Sequence, residues 1–224
     1  MDIQLSFPCK KNAVTTHIEQ GLMPLIQKDH DGMTMNILLF NGSPRKRGNT
    51  DLLLEQIEEG IHRAGHKAEH INLAHLVIHP CTGCGHCETE GQCIFKDDMT
   101  ALYEKIDAAN RIVIGSPIYF YGVTAQTKAF IDRCQALWSR KYLLGEIKPE
   151  REYRHGYMVS VAATDGGKIF EGARLTVRYA FDAMEFSYSG ELLAQGVDAK
   201  GSVVEKTETM EAALQLGLDL CRKS

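Results

Sequence analysis

Four cysteines stand close together as Cys81-x2-Cys84-x2-Cys87-x5-Cys93. Gaps of two residues can turn successive thiolates toward one centre, and a fourth after a short loop completes four soft ligands. Gly83, Gly85 and Gly91 between and beside them permit the tight backbone wrapping such a centre requires. The spacing is near, but not identical to, the ferredoxin run Cys-x2-Cys-x2-Cys-x3-Cys-Pro. Zinc sites more often use two separated cysteine pairs. The spacing alone leaves an iron–sulfur cluster, zinc and bare thiols open.

A second stretch, residues 37–50, joins four apolar residues (Ile37-Leu38-Leu39-Phe40) to Asn41-Gly42-Ser43-Pro44-Arg45-Lys46-Arg47-Gly48-Asn49-Thr50. It reads as a buried strand, a turn and a helix start capped by Asn49 or Thr50. Backbone N–H groups at such a junction converge, and the helix dipole adds positive charge. Ser43, Asn49 and Thr50 add neutral donors; Arg45 and Arg47 add fixed cations. The pattern predicts a cradle for a phosphate monoester. It is neither a Walker loop nor the Gly-x-Gly-x-x-Gly dinucleotide fingerprint. A third stretch, Pro117-Ile118-Tyr119-Phe120-Tyr121-Gly122, offers a flat aromatic wall, with Gly122 allowing close backbone approach. These aromatics read equally as core or interface residues.

The elements that must carry these stretches alternate regularly. Strands are expected at 36–41, 66–73, 111–116, 157–163 and 185–193. Helices are expected at about 50–64, 98–108, 125–138, 168–184 and 203–222, with the cysteine-rich loop at 79–96. This alternation predicts an α/β fold, a doubly wound five-stranded parallel sheet, and the ligand-like loops after strands one and three make the flavodoxin-like order 2-1-3-4-5 the economical choice. The loops at 41–50, 116–124 and 163–167 then share one rim. Residues 1–34 read as an N-terminal arm or equally as a partly disordered tail, and 35–224 as the domain. Cys9, Cys134 and Cys221 read as small buried hydrophobes, and Asp132 with Arg133 as a structural pair. His62, His66, His70, His75, His79 and His86 read as solvated. No Ser-His-Asp constellation is present, and no catalytic side chain is assigned.

A net charge of -4 argues against nucleic-acid binding. No apolar run approaches the ~20 residues that span a bilayer, so no membrane partner is expected. Seven cysteines behind a start without signal-peptide character suggest a reducing cytoplasm.

Asn41-Gly-Ser-Pro-Arg-x-x-Gly-Asn-Thr50 resembles the phosphate loop of the NADPH-dependent FMN reductase family, within the flavodoxin-like superfamily. Gly115 to Thr124 resembles that family's second flavin loop, and Lys128 to Arg133 and Gly190 to Leu192 match its general pattern. The cysteine spacing resembles the iron–sulfur flavoproteins, a branch that carries a [4Fe–4S] cluster after strand two. The resemblance implies FMN, with Ser43, Arg45, Asn49 and Thr50 around its phosphate, and the charge of Arg47 adds to that site. Pro117, Ile118, Tyr119, Phe120 and Gly122 would lie along the ring, with Thr164, Asp165 and Gly166 bordering its other side. It implies Cys81, Cys84, Cys87 and Cys93 as cluster ligands. It also implies NAD(P)H or a protein electron carrier as partner. A homodimer or homotetramer would bring the flavin of one subunit near the cluster of another. An FMN or quinone reductase with bare cysteines, and a non-catalytic binding module of the same fold, are the alternatives.

Overall fold

A computed structural model describes residues 35–146 and 153–222, all within one unit, Asp31–Ser224. The arm expected over 1–34, with Cys9, lies outside the described residues. In chain order the elements are β1 (Ile37–Asn41), α1 (Asn49–Arg63), β2 (Ala68–Asn72), α2 (His86–Glu90), α3 (Met99–Ala108), β3 (Arg111–Pro117), α4 (Ala125–Arg133), α5 (Gln135–Tyr142), β4 (His155–Val161), α6 (Glu171–Ala183), β5 (Ser187–Ala194) and α7 (Thr207–Asp219). The five strands form one sheet in the order β2-β1-β3-β4-β5, every neighbouring pair parallel. This is the flavodoxin-like arrangement expected from the alternation.

Successive side chains of a strand face opposite sides of its sheet, and both sides of β1 are buried. Ile37 and Leu39 pack with Leu53, Leu54, Ile57 and Ile61 of α1 and with Ala213 of α7. Leu38 and Phe40 face the other way, into a core with Ile106, Phe130, Leu137, Val177 and Phe181 from α3 to α6. That is why β1 and β3 read as continuous apolar runs. β2 alternates poorly because it is the sheet's edge and only Ile71 among its residues is buried. On the α1/α7 side the helices touch through glycines. A Cβ on Gly217 would lie 2.1 Å from the Ile57 carbonyl oxygen, which fixes how closely α7 backs α1, the helix that follows the β1 loop.

Three elements depart from expectation. The helix expected over 125–138 is two helices, α4 and α5, divided at Cys134; the apolar periodicity continues across the break and hides it. The cysteine-rich loop contains the short helix α2, bounded by Gly85 and Gly91 at φ of 75° and 64°. The closing helix begins with a 3₁₀ turn, Ser202–Glu205, before α7. Cys134 and Cys221 are buried, as expected.

Candidate functional site

All parallel strands end on one rim, so the loops after β1, β3, β4 and β5 meet there. The β1 loop is drawn shut by its own polar groups. The Asn41 side-chain oxygen Oδ1 accepts from the Ser43 N–H at 2.9 Å, and Asn41 Nδ2 donates to Asp51 at 2.7 Å. Asp51 also accepts from the Arg47 N–H at 2.8 Å. The Arg45 N–H donates to Ser43 Oγ and the Gly48 N–H to the Arg45 carbonyl. The loop's own N–H groups are therefore largely turned inward, which leaves the start of α1 as the place where free N–H groups converge. The first helical bond there is Leu52 N–H to the Gly48 carbonyl. Gly48 is the N-cap and no side chain caps the helix, so the N–H groups of Asn49, Thr50 and Asp51 lack intrahelical acceptors. The cap expected from Asn49 or Thr50 is absent.

Asn49 has another task. Its amide donates to the Val197 and Ala199 carbonyls at 3.4 and 2.9 Å, and its oxygen accepts from the Val203 N–H at 3.2 Å. The side chain pins the β5–α7 loop to the start of α1 and has no amide hydrogen left for a phosphate. Thr50 is the opposite case: its hydroxyl is buried and has no hydrogen-bond partner among the described residues. A buried hydroxyl without a partner is costly, and this one sits at the uncapped helix start.

These groups border a cleft of about 90 Å³ lined by Ser43, Arg45, Gly48, Asn49, Thr50, Pro117, Ile118, Tyr119, Val161, Ala163, Val197, Asp198 and Lys200. It brings together seven of the residues singled out in the sequence. Arg47, Phe120, Gly122, Thr164, Asp165 and Gly166 do not line it. Asp198 and Lys200 were missed, since the β5–α7 loop carries no motif. The parallel sheet alone places that loop on the rim. The β3 loop is anchored to the β1 loop by Thr124 Oγ1, which donates to the Gly42 carbonyl at 2.7 Å. Gly42 has to be glycine, because a Cβ there would fall 1.8 Å from Thr127 Oγ1.

Next to the cleft the chain reverses between Tyr119 and Gly122, whose backbones exchange hydrogen bonds of 2.9 and 3.0 Å. The two central residues, Phe120 and Tyr121, have φ of 49° and 62°, a region that bulky side chains rarely adopt. Gly122, expected to allow close backbone approach, has an ordinary φ and room for a Cβ. Phe120 is wholly exposed, at 104% relative accessibility, so packing does not hold it there. Changing Phe120 to Asn together with Tyr121 to Gly is expected to stabilise the protein by about 1–3 kcal/mol, the strain of such conformers. The midpoint of urea unfolding reads this; a lower midpoint would mean the aromatics contribute packing.

The second site lies beyond β2. Cys81, Cys84, Cys87 and Cys93 border one cavity of about 370 Å³, with Glu88, Ile94, Phe95, Asp132, Arg133 and Gln135 among its other walls. Gly83, Gly85 and Gly91 all take left-handed φ. Cys81 and Cys84 are exposed, and Cys87 and Cys93 are half-buried. The thiols share the cavity without converging in it: among the described residues no three His, Cys, Asp or Glu side chains come within metal-binding reach. A donor set of four thiols around one cavity, wrapped by left-handed glycines, nonetheless fits a thiophilic centre.

Asp97 closes the segment that holds these cysteines. It accepts from the His79 N–H at 2.9 Å, the Met99 N–H at 3.1 Å, and Arg133 at 2.6 and 3.1 Å. Arg133 also donates to the His79 carbonyl at 2.8 Å. The two side chains are 4% and 0% exposed. The expected pairing of Arg133 with Asp132 is thus corrected: Asp132 is held by Lys128 at 2.7 Å, because residues four apart share a helix face and Arg133 points inward. Burial alone would raise the Asp97 carboxyl, but the hydrogen bonds from Arg133 and the His79 N–H hold it below the usual carboxylate range. The folded state then binds fewer protons than the unfolded state as pH falls toward the unfolded carboxylate pKa of about 3.9. Asp97 contributes stability above that pH and loses it below. Asp97→Asn is expected to cost about 3 kcal/mol or more at neutral pH, from an uncompensated buried guanidinium. In urea unfolding at a series of pH values the gap to the parent should narrow on acidification; a constant gap would contradict the account.

Among the described residues no helix is long and apolar enough to cross a membrane. A model of the family described as NADPH-dependent FMN reductase matches residues 35–187. An iron–sulfur flavoprotein of Methanocaldococcus jannaschii is 41% identical over 103 residues, 46% of this chain and 53% of that protein. The chain spans about half the length of the curated iron–sulfur flavoproteins it matches first. A candidate NAD(P)H-dependent FMN-containing oxidoreductase of Bacillus subtilis is 29% identical over 187 residues, 81% of this chain and 96% of that one. Among solved structures, the Trp repressor binding protein of Bacillus subtilis is 26% identical, with a TM-score of 0.57 over 81% of this chain and 98% of that one.

Proposed function

The chain belongs to the NADPH-dependent FMN reductase family, and from that premise we propose that it is an FMN-dependent oxidoreductase drawing electrons from NAD(P)H. The observation that carries the reading is the unpartnered Thr50 hydroxyl at the uncapped start of α1. A phosphate there satisfies that hydroxyl and the free N–H groups of the first helical turn, where the dipole favours negative charge. Arg45 adds a cation at the mouth, and Lys200, from the loop that Asn49 pins, adds a second. Ser43 shapes the loop and lines the cleft.

Pro117, Ile118 and Tyr119 give the flavin ring an apolar wall continuous with the phosphate site, while the strained turn at Phe120 to Gly122 stands at its edge. Thr164, Asp165 and Gly166, which follow the cleft residue Ala163, border the ring's other side. Arg47, which is exposed, contributes long-range charge rather than contact. Among the four cysteines we assign Cys81, Cys84, Cys87 and Cys93 as ligands of a [4Fe–4S] cluster. When bound, FMN takes two electrons from a nicotinamide and releases them singly or together, and a cluster carries them one at a time.

Helix α4 runs from the Thr124 anchor beside the flavin cleft to Arg133 at the cysteine cavity, about 13 Å for nine residues. A homodimer or homotetramer would shorten that separation by facing the cleft of one subunit toward the cysteines of another. The exposed Phe120, Tyr121, Trp138 and Tyr142 support such a contact, and light scattering on the holoprotein tests it. A cytoplasmic setting suits the free thiols.

Because the cysteines do not converge, a flavin or quinone reductase with bare thiols is the second reading. A visible spectrum of protein purified without oxygen separates the two. Flavin bands with a broad cluster absorption that bleaches on reduction support the first, flavin bands alone support the second, and a colourless protein sinks both.

A further inference from the structure

Arg133 is the last residue of α4, and its side chain is fully enclosed. Nη1 and Nη2 are engaged by Asp97 and the His79 carbonyl. Nε is buried and has no hydrogen-bond acceptor among the described residues. Proteins rarely leave such an N–H unpaired, since the desolvation is not repaid. Arg133 forms part of the wall of the cysteine cavity, so a group held by the four thiols would lie beside it. The arginine is also rigid there: Asp97 holds it in a two-toothed ion pair, Tyr103 donates to its carbonyl at 2.7 Å, and the guanidinium lies 5.2 Å from the Phe95 ring centroid.

We infer that Arg133 is a positioning residue for the cysteine-bound cluster, donating its Nε–H to a cluster or thiolate sulfur and so raising the reduction potential. The inference rests on the reading of the four cysteines as cluster ligands. Four thiolates make the cluster anionic, and one added electron makes it more so. A fixed N–H dipole and cation facing a sulfur therefore favour the reduced form, and hydrogen bonds to sulfur are an established lever on such potentials. The Arg133–Asp97 pair ties His79, just before the first cysteine, to the start of α3, just after the last. It thus sets both the mouth of the cysteine segment and the electrostatics of its interior.

The test is an EPR-monitored dithionite titration of the anaerobically reconstituted full chain, with iron and acid-labile sulfide assayed in the same sample. Arg133→Lys keeps the positive charge but removes the Nε–H. With iron and sulfide equal to the parent, the reduced-to-oxidised ratio at a given potential should fall about tenfold. For one electron that is a midpoint about 59 mV more negative. The flavin midpoint should stay in place. An unmoved cluster midpoint at full iron content overturns the inference.

Parent protein labelled with ¹⁵N-arginine gives a second readout that needs no variant. Pulsed EPR of the reduced cluster should show modulation from an arginine nitrogen, and its absence overturns the inference even if Arg133→Lys fails to fold. Parent protein that takes up no iron and sulfide removes the cluster reading and the inference together. A full cluster without arginine coupling removes the inference alone.

Discussion

Replacing Cys84 by serine is expected to abolish iron and sulfide uptake while leaving bound FMN and the folded structure intact. Cys84 is exposed and sits between Gly83 and Gly85, both in left-handed backbone at φ of 66° and 75°. Two such residues around one thiol serve no packing purpose, since the side chain contributes nothing to the buried core. A hydroxyl is a poor ligand for iron, and a four-thiolate centre tolerates the loss badly. The flavin cleft shares no residue with the cysteine cavity, so its occupancy should not change. Cys134→Ser is the matched control. Cys134 is buried, and its thiol donates to the Phe130 carbonyl; burial pushes the thiol up to about 12. That substitution should leave iron content unchanged and alter only stability. Iron and sulfide assays with a thermal melt on both variants read the result. Equal iron in Cys84→Ser and parent would contradict the assignment.

Thr50→Val should move stability and FMN affinity in opposite directions. Valine keeps the shape of threonine and removes the hydroxyl. In the ligand-free protein that hydroxyl is buried without a partner, so its removal is expected to be neutral or to stabilise by about 1 kcal/mol. With an FMN phosphate seated at the start of α1, the same hydroxyl would bond to a charged group. Losing it should weaken FMN by about 10–100-fold, the equivalent of roughly 1.5–3 kcal/mol for a hydrogen bond to a charged group. Arg45→Ala should weaken FMN less, and mainly at low salt, because Arg45 is exposed and its field is screened. Urea unfolding without flavin and fluorescence titration with FMN give the two halves. Thr50→Val that lowers stability and leaves affinity alone would assign the hydroxyl a structural task instead.

The sheet was legible because buried parallel strands leave unbroken apolar runs, as at Ile37 to Phe40 and Ile112 to Ile114, and its order because the most ligand-like loops follow the first and third strands. The β1–α1 loop was legible as a candidate site because its glycines, serine and threonine lie close together, at Gly42, Ser43, Gly48 and Thr50. What escaped the sequence depends on residues far apart in the chain. Asn49 was read as a phosphate donor, but its amide meets carbonyls about 150 residues later. Nothing local distinguishes those two uses. The sequence pairs Arg133 with its neighbour Asp132, whereas the partner chosen by the fold is Asp97, in the segment that leads into α3. Asp198 and Lys200 carry no signature and join the cleft only because β5 is parallel to the other strands. The strain at Phe120 and Tyr121 was also invisible, since neither residue is a usual choice for left-handed backbone.

The central claim is that the start of α1 holds the phosphate of a flavin mononucleotide. The most direct test titrates the flavin-free protein with FMN and, separately, with riboflavin, which has the same ring and sugar alcohol but no phosphate. The account predicts tight FMN binding, much weaker riboflavin binding, and a gap between them that shrinks in Thr50→Val. Equal affinity for the two ligands, or retention of neither, would contradict it.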